Sequence, residues 1–140
     1  MTDSMTPAQR SRCMAAIRSR DTVPELTVRK VLHALGYRFR VHVKTLPGKP
    51  DIVLPHLHAI IFVHGCFWHL HSCRDGRIPE TKRGYWFPKL QGNRLRDQRH
   101  RRKLRQLGWR VLTVWDCQTR DCGRLAGRLH RFLRLSRPPQ

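Results

Sequence analysis

Ten consecutive residues, His64-Gly-Cys-Phe-Trp-His-Leu-His-Ser-Cys73, carry three histidines and two cysteines. No other stretch limits the fold of this chain so strongly. Imidazole and thiolate together suit zinc, and four such ligands with no open position make a structural site. The cluster follows an apolar run, Ala59-Ile-Ile-Phe-Val-His64, which Gly65 ends. Residues 65–87 then read as irregular, and a loop of that length needs a tether. The chain has five cysteines, an odd number that favours a metal site over a disulfide scaffold. The expected ligand set is Cys66, His71 and Cys73, joined by Cys117 from just beyond a strand expected at 109–115. Spacing alone leaves two exchanges open: Cys122 for Cys117, and His69 or His64 for His71. The spacing of a two-Cys, two-His finger is absent.

The second constraint is charge. Among 140 residues, 29 are Lys or Arg and 9 are Asp or Glu, a formal net charge of +20. So cationic a body points to a polyanion, and nucleic acid comes first because basic side chains release the counterions condensed on phosphates. Hydrophobic residues make up 39%, enough for a core. No apolar run approaches a membrane span, and the N-terminal residues lack the apolar stretch of a secretory signal. These readings predict one soluble, intracellular domain with no membrane partner.

The periodicities predict the order α-α-β-β-β-loop-α-β-α, with residues 1–7 and 136–140 as flexible ends. Pro7 opens a first helix to about Ser19. Thr22 and Val23 precede Pro24 at the start of a second, which Gly36 ends. Tyr37–Val43 alternates as a strand, Pro47-Gly48 turns, and Asp51–Pro55 and Ala59–His64 read as two more strands. Pro88 is expected to open a long helix to Leu107, before Gly108, strand Trp109–Trp115 and a helix over 121–135. The fold class that follows is α/β, a sheet with helices on its faces.

Acidic residues are scarce, so each one carries weight. Asp51 stands at the start of its strand, beside the main chain of the next. A carboxylate and a carbonyl there can hold Mg²⁺ while water and phosphate complete the octahedron. A turn-capping Asp in Lys-Pro-Asp is the plain alternative. Phe67 and Trp68 lie inside the metal-fixed loop, with Trp86 at its far end. Aromatics so presented can enter a base stack, and a mispair is easier to unstack than a matched pair. They can equally pack as a small satellite core. Residues 94–110 hold eight Lys and Arg against Asp97 alone, a candidate phosphate-facing surface. Arg124, Arg128, Arg131 and Arg134 either add DNA affinity or serve solubility.

Three segments together, Leu46-Pro-Gly-Lys-Pro-Asp51, Ile61-Phe-Val-His-Gly-Cys-Phe-Trp-His69 and Leu107-Gly-Trp-Arg-Val-Leu-Thr-Val-Trp115, resemble the very short patch repair endonucleases of the Vsr type. Arg10-Ser-Arg-Cys-Met14, Arg20-Asp-Thr22 with Glu25, and Trp86 with Asn93 and Asp97 also fit, so the match spans roughly residues 8–118. The resemblance implies a restriction-endonuclease-like mixed sheet and an enzyme that nicks DNA 5′ to the thymine of a T:G mispair left by 5-methylcytosine deamination. It implies Mg²⁺ at Asp51 and the main-chain carbonyl of Val63, with His69 as the base and Glu25 and His64 in support. Phe67, Trp68 and Trp86 would form an intercalating wedge. Met14 and Ile17 would form a second wedge from the minor groove, unless they pack helix one on the body. Lys89 and Asn93 would meet the mispair's base edges. The family often has Thr where this chain has Val63, a change that a carbonyl ligand survives. Mismatch-repair proteins and a paired cytosine methyltransferase are implied as partners, with a bacterial cytoplasmic location and a monomer acting on one strand.

Two rival readings remain at this level. One is a non-catalytic zinc-containing nucleic-acid-binding protein. The other is a zinc hydrolase in which His69 and His71 hold a catalytic metal.

Overall fold

The computed structural model describes residues 22–73, 76–78 and 80–135. The expected first helix, with Met14 and Ile17, lies outside the described residues, as do the two expected flexible ends. Helix α1 is Val23–Ala34. Thr22 caps it, its hydroxyl accepting the Glu25 N–H at 3.4 Å, and Pro24 sits in the first turn, where its missing N–H costs nothing. Gly36 closes it at φ +85°: its N–H reaches the His33 carbonyl, and the Tyr37 N–H reaches that of Leu32. Those two bonds satisfy carbonyls that a helix end leaves open.

Four strands form one sheet in sequence order: β1 Arg40–Val41, β2 Ile52–Leu54, β3 Ala59–His64 and β4 Arg110–Trp115. The first two pairings are antiparallel and β3–β4 is parallel, with Val63 opposite Val114. A parallel neighbour needs a crossover, and helix α2, Arg83–Gln106, supplies it. Helix α3, Cys122–Leu135, closes the described chain, with Asp121 accepting the Arg124 N–H at its start.

Alternation along β3 sorts its side chains between two buried faces. Ala59 and Ile61 join Ile52, Leu54 and Val114, covered by Val28 and Leu32 of α1 and by Leu125, Leu129 and Leu133 of α3. Ile60 and Phe62 join Val53 and lie against Leu104 of α2. Burial on both faces explains why β3 is apolar without alternation. His64 follows Ile60 and Phe62 by the same period, so it faces α2.

Several expected boundaries are corrected. The strand expected over 37–43 pairs only at Arg40–Val41, because His42 turns to φ +51° and leaves extended geometry. Pro55 opens a single 3-10 turn and so ends β2 at Leu54. The long helix begins at Arg83 and holds Pro88 inside it. Pro88 forfeits a bond to the carbonyl of Gly84, which is exposed and can turn to water. The last part of the loop expected over 65–87 is therefore the first turn of α2. After β4 a 3-10 turn, Asp116–Thr119, carries Cys117 back toward the loop that follows β3.

Candidate active site and metal centre

Asp51 comes directly before β2, so its backbone is held by the sheet while its carboxylate stands beyond the strand's end. Its Oδ2 accepts the Val63 N–H at 2.8 Å. In extended backbone a residue's N–H and C=O leave toward the same edge, so the Val63 carbonyl is on the Asp51 side as well. Burial, and then the neighbouring Glu25 carboxyl, push the Asp51 carboxyl up to about 8 against the pull of the Val63 bond. Ligand atoms of Glu25, His42 and Asp51 lie within 4.8 Å of one another. Two crowded carboxyls, Glu25 buried and Asp51 half-buried, suit a hard divalent cation, which removes their repulsion.

A second group lies along the same cleft. His69, in the loop after β3, shares a short hydrogen bond between its Nδ1 and Oδ2 of Asp97 on α2. His64 stacks on His69 with ring centroids 3.9 Å apart and planes 6° from parallel. Its Nδ1 is 3.9 Å from Asp97 Oδ2 and, among the described residues, has no hydrogen-bond partner. Burial, then the His69 charge, lower the His64 pKa to about 3, so its ring is neutral at ordinary pH. Burial raises the Asp97 carboxyl, but the His69 bond and the surrounding cations prevail and hold it below the usual range. Glu25, Asp51, Val63, His64, His69 and Asp97 all line one cleft of about 600 Å³.

Lys89, Asn93 and Trp68 stand along that cleft too. Asn93 donates to the Trp68 carbonyl at 3.1 Å and so ties α2 to the aromatic loop. Phe67, Trp68 and Trp86 form an edge-to-face trio with centroids 5.2–5.8 Å apart, each half-buried. Tyr85, 63% exposed, adds a fourth ring against Trp86. The Lys89 ammonium sits 5.8 Å from both the Tyr85 and Trp86 ring centres.

The third group is Cys66, His71, Cys73 and Cys117, whose ligand atoms all fall within 4.8 Å of one another. Cys66 is buried, and the Cys117 N–H points at its sulfur from 3.4 Å. His71 stacks on Trp115 with centroids 4.2 Å apart, and its Nδ1 is 3.6 Å from the Cys117 sulfur. Burial pushes the Cys66 thiol up to about 12. Three thiols and one imidazole at this separation can close around a tetrahedral soft cation, whose charge would displace those protons. Cys122 is exposed and stands apart from this group. His71 lies with the thiols and His69 with Asp97, so the two histidines proposed for a zinc hydrolase belong to different groups.

The structure gives a contact to Asp97, which the sequence places in the family pattern without a role, and adds three residues that the sequence does not single out. Asp97 is the partner of His69, and its signal was its solitude in a run of cations. Arg29, His42 and Tyr85 gave no signal of comparable strength.

The family model of the DNA mismatch endonuclease Vsr matches residues 2–75. The type II nicking enzyme V.XorIIP of Xanthomonas oryzae pv. oryzae is 50% identical over 133 residues, covering 95% of this chain and 98% of that protein. This chain belongs to the Vsr family. Two further relatives agree with that placement of the Vsr-family chain. The type II nicking enzyme V.NmeAIP of Neisseria meningitidis is 40% identical over 134 residues, 96% of each chain. The DNA mismatch endonuclease Vsr of Escherichia coli is 43% identical over 120 residues, 86% of this chain and 77% of that one. Membership makes the chain a DNA mismatch endonuclease, and the cleft joining Asp51 to His69 is its candidate active site. Among the described residues no helix is long and apolar enough to cross a membrane.

Proposed function

We propose that this Vsr-family chain nicks one strand of duplex DNA 5′ to the thymine of a T:G mispair left by deamination of 5-methylcytosine, in very short patch repair. The reading takes the chain as a single restriction-endonuclease-like domain that acts as a monomer in the bacterial cytoplasm. It assigns Mg²⁺ to Asp51 and the Val63 carbonyl, and structural Zn²⁺ to Cys66, His71, Cys73 and Cys117. The observation that carries it is the shared cleft: a half-buried carboxylate bonded to the Val63 backbone, and a carboxylate-oriented histidine, line one cavity with Trp68.

The residues divide the reaction among them. Asp97 accepts the Nδ1 proton of His69, so Nε2 carries the lone pair that takes a proton from the attacking water. Stacked His64, neutral at working pH, holds the plane of the His69 ring. Asp51 and the Val63 carbonyl supply hard oxygen ligands at the strand end. Magnesium, when bound there, supplies charge against the phosphate oxygens and makes a water more acidic. Phe67, Trp68 and Trp86 enter the stack beside the mispair, where unstacking costs least. Lys89 and Asn93 face the same cleft and meet base edges of the opened pair. Mismatch-repair proteins and a cytosine methyltransferase are the partners this reading expects.

The test is incubation with T:G and T:A duplexes of one sequence, with Mg²⁺ or EDTA, for wild type, Asp51→Ala and His69→Ala. Nicking of the T:G duplex alone, abolished by EDTA and by both substitutions, is expected. Equal nicking of both duplexes would remove the mismatch assignment. Nicking by Asp51→Ala would remove the metal site. Full biological activity of that variant would favour a zinc-containing binding protein instead.

A further inference from the structure

Beside Asp51 stands a set of contacts that the scheme above leaves unused. Glu25 is 3% exposed, and the side chains of Arg29 and His42 are 17% and 11% exposed. One terminal nitrogen of Arg29, Nη2, lies 3.0 Å from Glu25 Oε2 and 2.9 Å from His42 Nε2. Guanidinium nitrogens only donate, so the two hydrogens of Nη2 serve the two contacts. His42 Nε2 is then the acceptor, and its ring proton sits on Nδ1. The 3.4 Å between His42 Nε2 and Glu25 Oε2 is therefore two acceptors meeting at one donor.

The same His42 is tied to the metal-binding residue through its backbone. Its N–H donates to the Asp51 carbonyl at 3.1 Å, from a left-handed conformation at φ +51°. Glu25 and Arg29 are one turn apart on α1, a spacing that puts both on one face. A closed circuit results: Asp51 backbone to His42, His42 ring to Arg29, Arg29 to Glu25, and the Glu25 carboxyl back beside Asp51.

We propose that Arg29 and His42 are positioning residues of the magnesium site, holding the Glu25 carboxylate against Asp51 through the shared guanidinium nitrogen and so setting how tightly the site takes a divalent cation. The proposal rests on the assignment of Asp51 as the magnesium ligand. Outer partners of metal-site carboxylates fix their orientation, and burial keeps water from competing for the same bonds.

Charge and positioning make different demands, and two substitutions separate them. Arg29→Lys keeps the positive charge but is shorter and has no fork. His42→Ala removes the acceptor and leaves Arg29 and Glu25 charged. His42→Gln restores an acceptor, and both variants meet the same backbone cost at a left-handed position. The probe is Mn²⁺ alone, titrated into zinc-loaded, full-length protein and followed by the electron paramagnetic resonance of the unbound ion. The Mg²⁺ midpoint for nicking is read in parallel. Arg29→Lys and His42→Ala are each expected to weaken Mn²⁺ binding and raise the Mg²⁺ midpoint by about tenfold or more. His42→Gln should recover most of that loss. In a Glu25→Gln background, Arg29→Lys should add less than about twofold, because its effect runs through Glu25. Binding of a T:G duplex in EDTA should stay within about twofold of wild type throughout, since metal affinity alone is altered. Circular dichroism reports folding; if His42→Ala does not fold, Arg29→Lys and His42→Gln carry the test. Unchanged Mn²⁺ affinity in Arg29→Lys, or effects that add in full on Glu25→Gln, would overturn the proposal. Wild-type Mn²⁺ affinity in Asp51→Ala would overturn the magnesium assignment, and the proposal with it.

Discussion

Asp97 on α2 meets Nδ1 of His69 across the cleft, 28 residues away in the chain. The bond fixes which ring nitrogen carries the proton. Asp97→Asn keeps the size of the side chain but offers an amide that can donate to Nδ1 and stabilise the opposite tautomer. Nicking is expected to fall by about 10²–10⁴-fold, with T:G duplex binding in EDTA nearly unchanged. Single-turnover rates at saturating Mg²⁺ check this. Wild-type turnover would show that His69 needs no orienting partner.

The aromatic trio should set the preference for a mispair. Each of Phe67, Trp68 and Trp86 contacts the other two, so the proposed wedge would be shared among the three rings. Replacing Trp68 with Ala should weaken T:G binding by about 1–3 kcal/mol, the usual worth of one ring stacked on a base. Binding to a matched duplex should change much less. Fluorescence of 2-aminopurine beside the mispair reads the loss of unstacking directly. An equal loss on both duplexes would return these rings to a structural role.

The thiol group should hold the loop after β3. Burial makes the Cys66 and Cys117 thiols resist ionisation, so a bound cation would do two things at once: draw the loop together and release protons. Chelation, or Cys73→Ser, should expose the loop to proteolysis between β3 and α2 while far-ultraviolet circular dichroism keeps the signal of the helices. Elemental analysis should find about one zinc per chain in the wild type, as a four-ligand site requires. A protein free of zinc with a protease-resistant loop would contradict the assignment.

The pH dependence has a definite sign. Without metal, burial first and the Glu25 carboxyl next push the Asp51 carboxyl from its ordinary 3.8 up to about 8, against the Val63 bond. Between those values the folded chain holds a proton that the unfolded chain has lost. Metal-free stability contributed by this group is therefore full below the lower value and is lost as pH rises through the upper one. Mg²⁺ has to displace the same proton. Its midpoint for nicking should fall by nearly tenfold per pH unit up to about pH 8, and then level off. A midpoint independent of pH between about 6 and 8 would show that Asp51 is already ionised.

Much of this arrangement is legible in the residues themselves, for physical reasons. Cys66, His71 and Cys73 stand out because three histidines and two cysteines fall within ten residues, while the choice of Cys117 over Cys122, and of His71 over His69 or His64, lies beyond spacing and follows from how the chain brings those four side chains together. The ends of α1 and α2 are legible at Gly36 and Gly108, since a left-handed closing residue favours glycine. The run from Ala59 to Phe62 announces a strand covered on both faces. Other features lie beyond local pattern. Pro88 looks like a helix opener, but it lies inside α2, where it leaves the carbonyl of the exposed residue Gly84 without its helical donor. The His69–Asp97 bond depends on how α2 crosses the sheet, which no spacing encodes. His42 carries a left-handed backbone that a histidine seldom adopts, so a strand was expected to run through it.

The proposed active site places a divalent cation between Asp51 and the Val63 carbonyl, beside His69, at the scissile phosphate. A crystal of the protein with a T:G duplex and Mn²⁺, with diffraction recorded at the manganese and zinc edges, tests it most directly. Manganese is expected at the Asp51 carboxylate and the Val63 carbonyl, near the phosphate 5′ to the thymine, with a separate zinc peak among Cys66, His71, Cys73 and Cys117. Manganese bound elsewhere along the duplex, with Asp51 bare at the strand end, would contradict it.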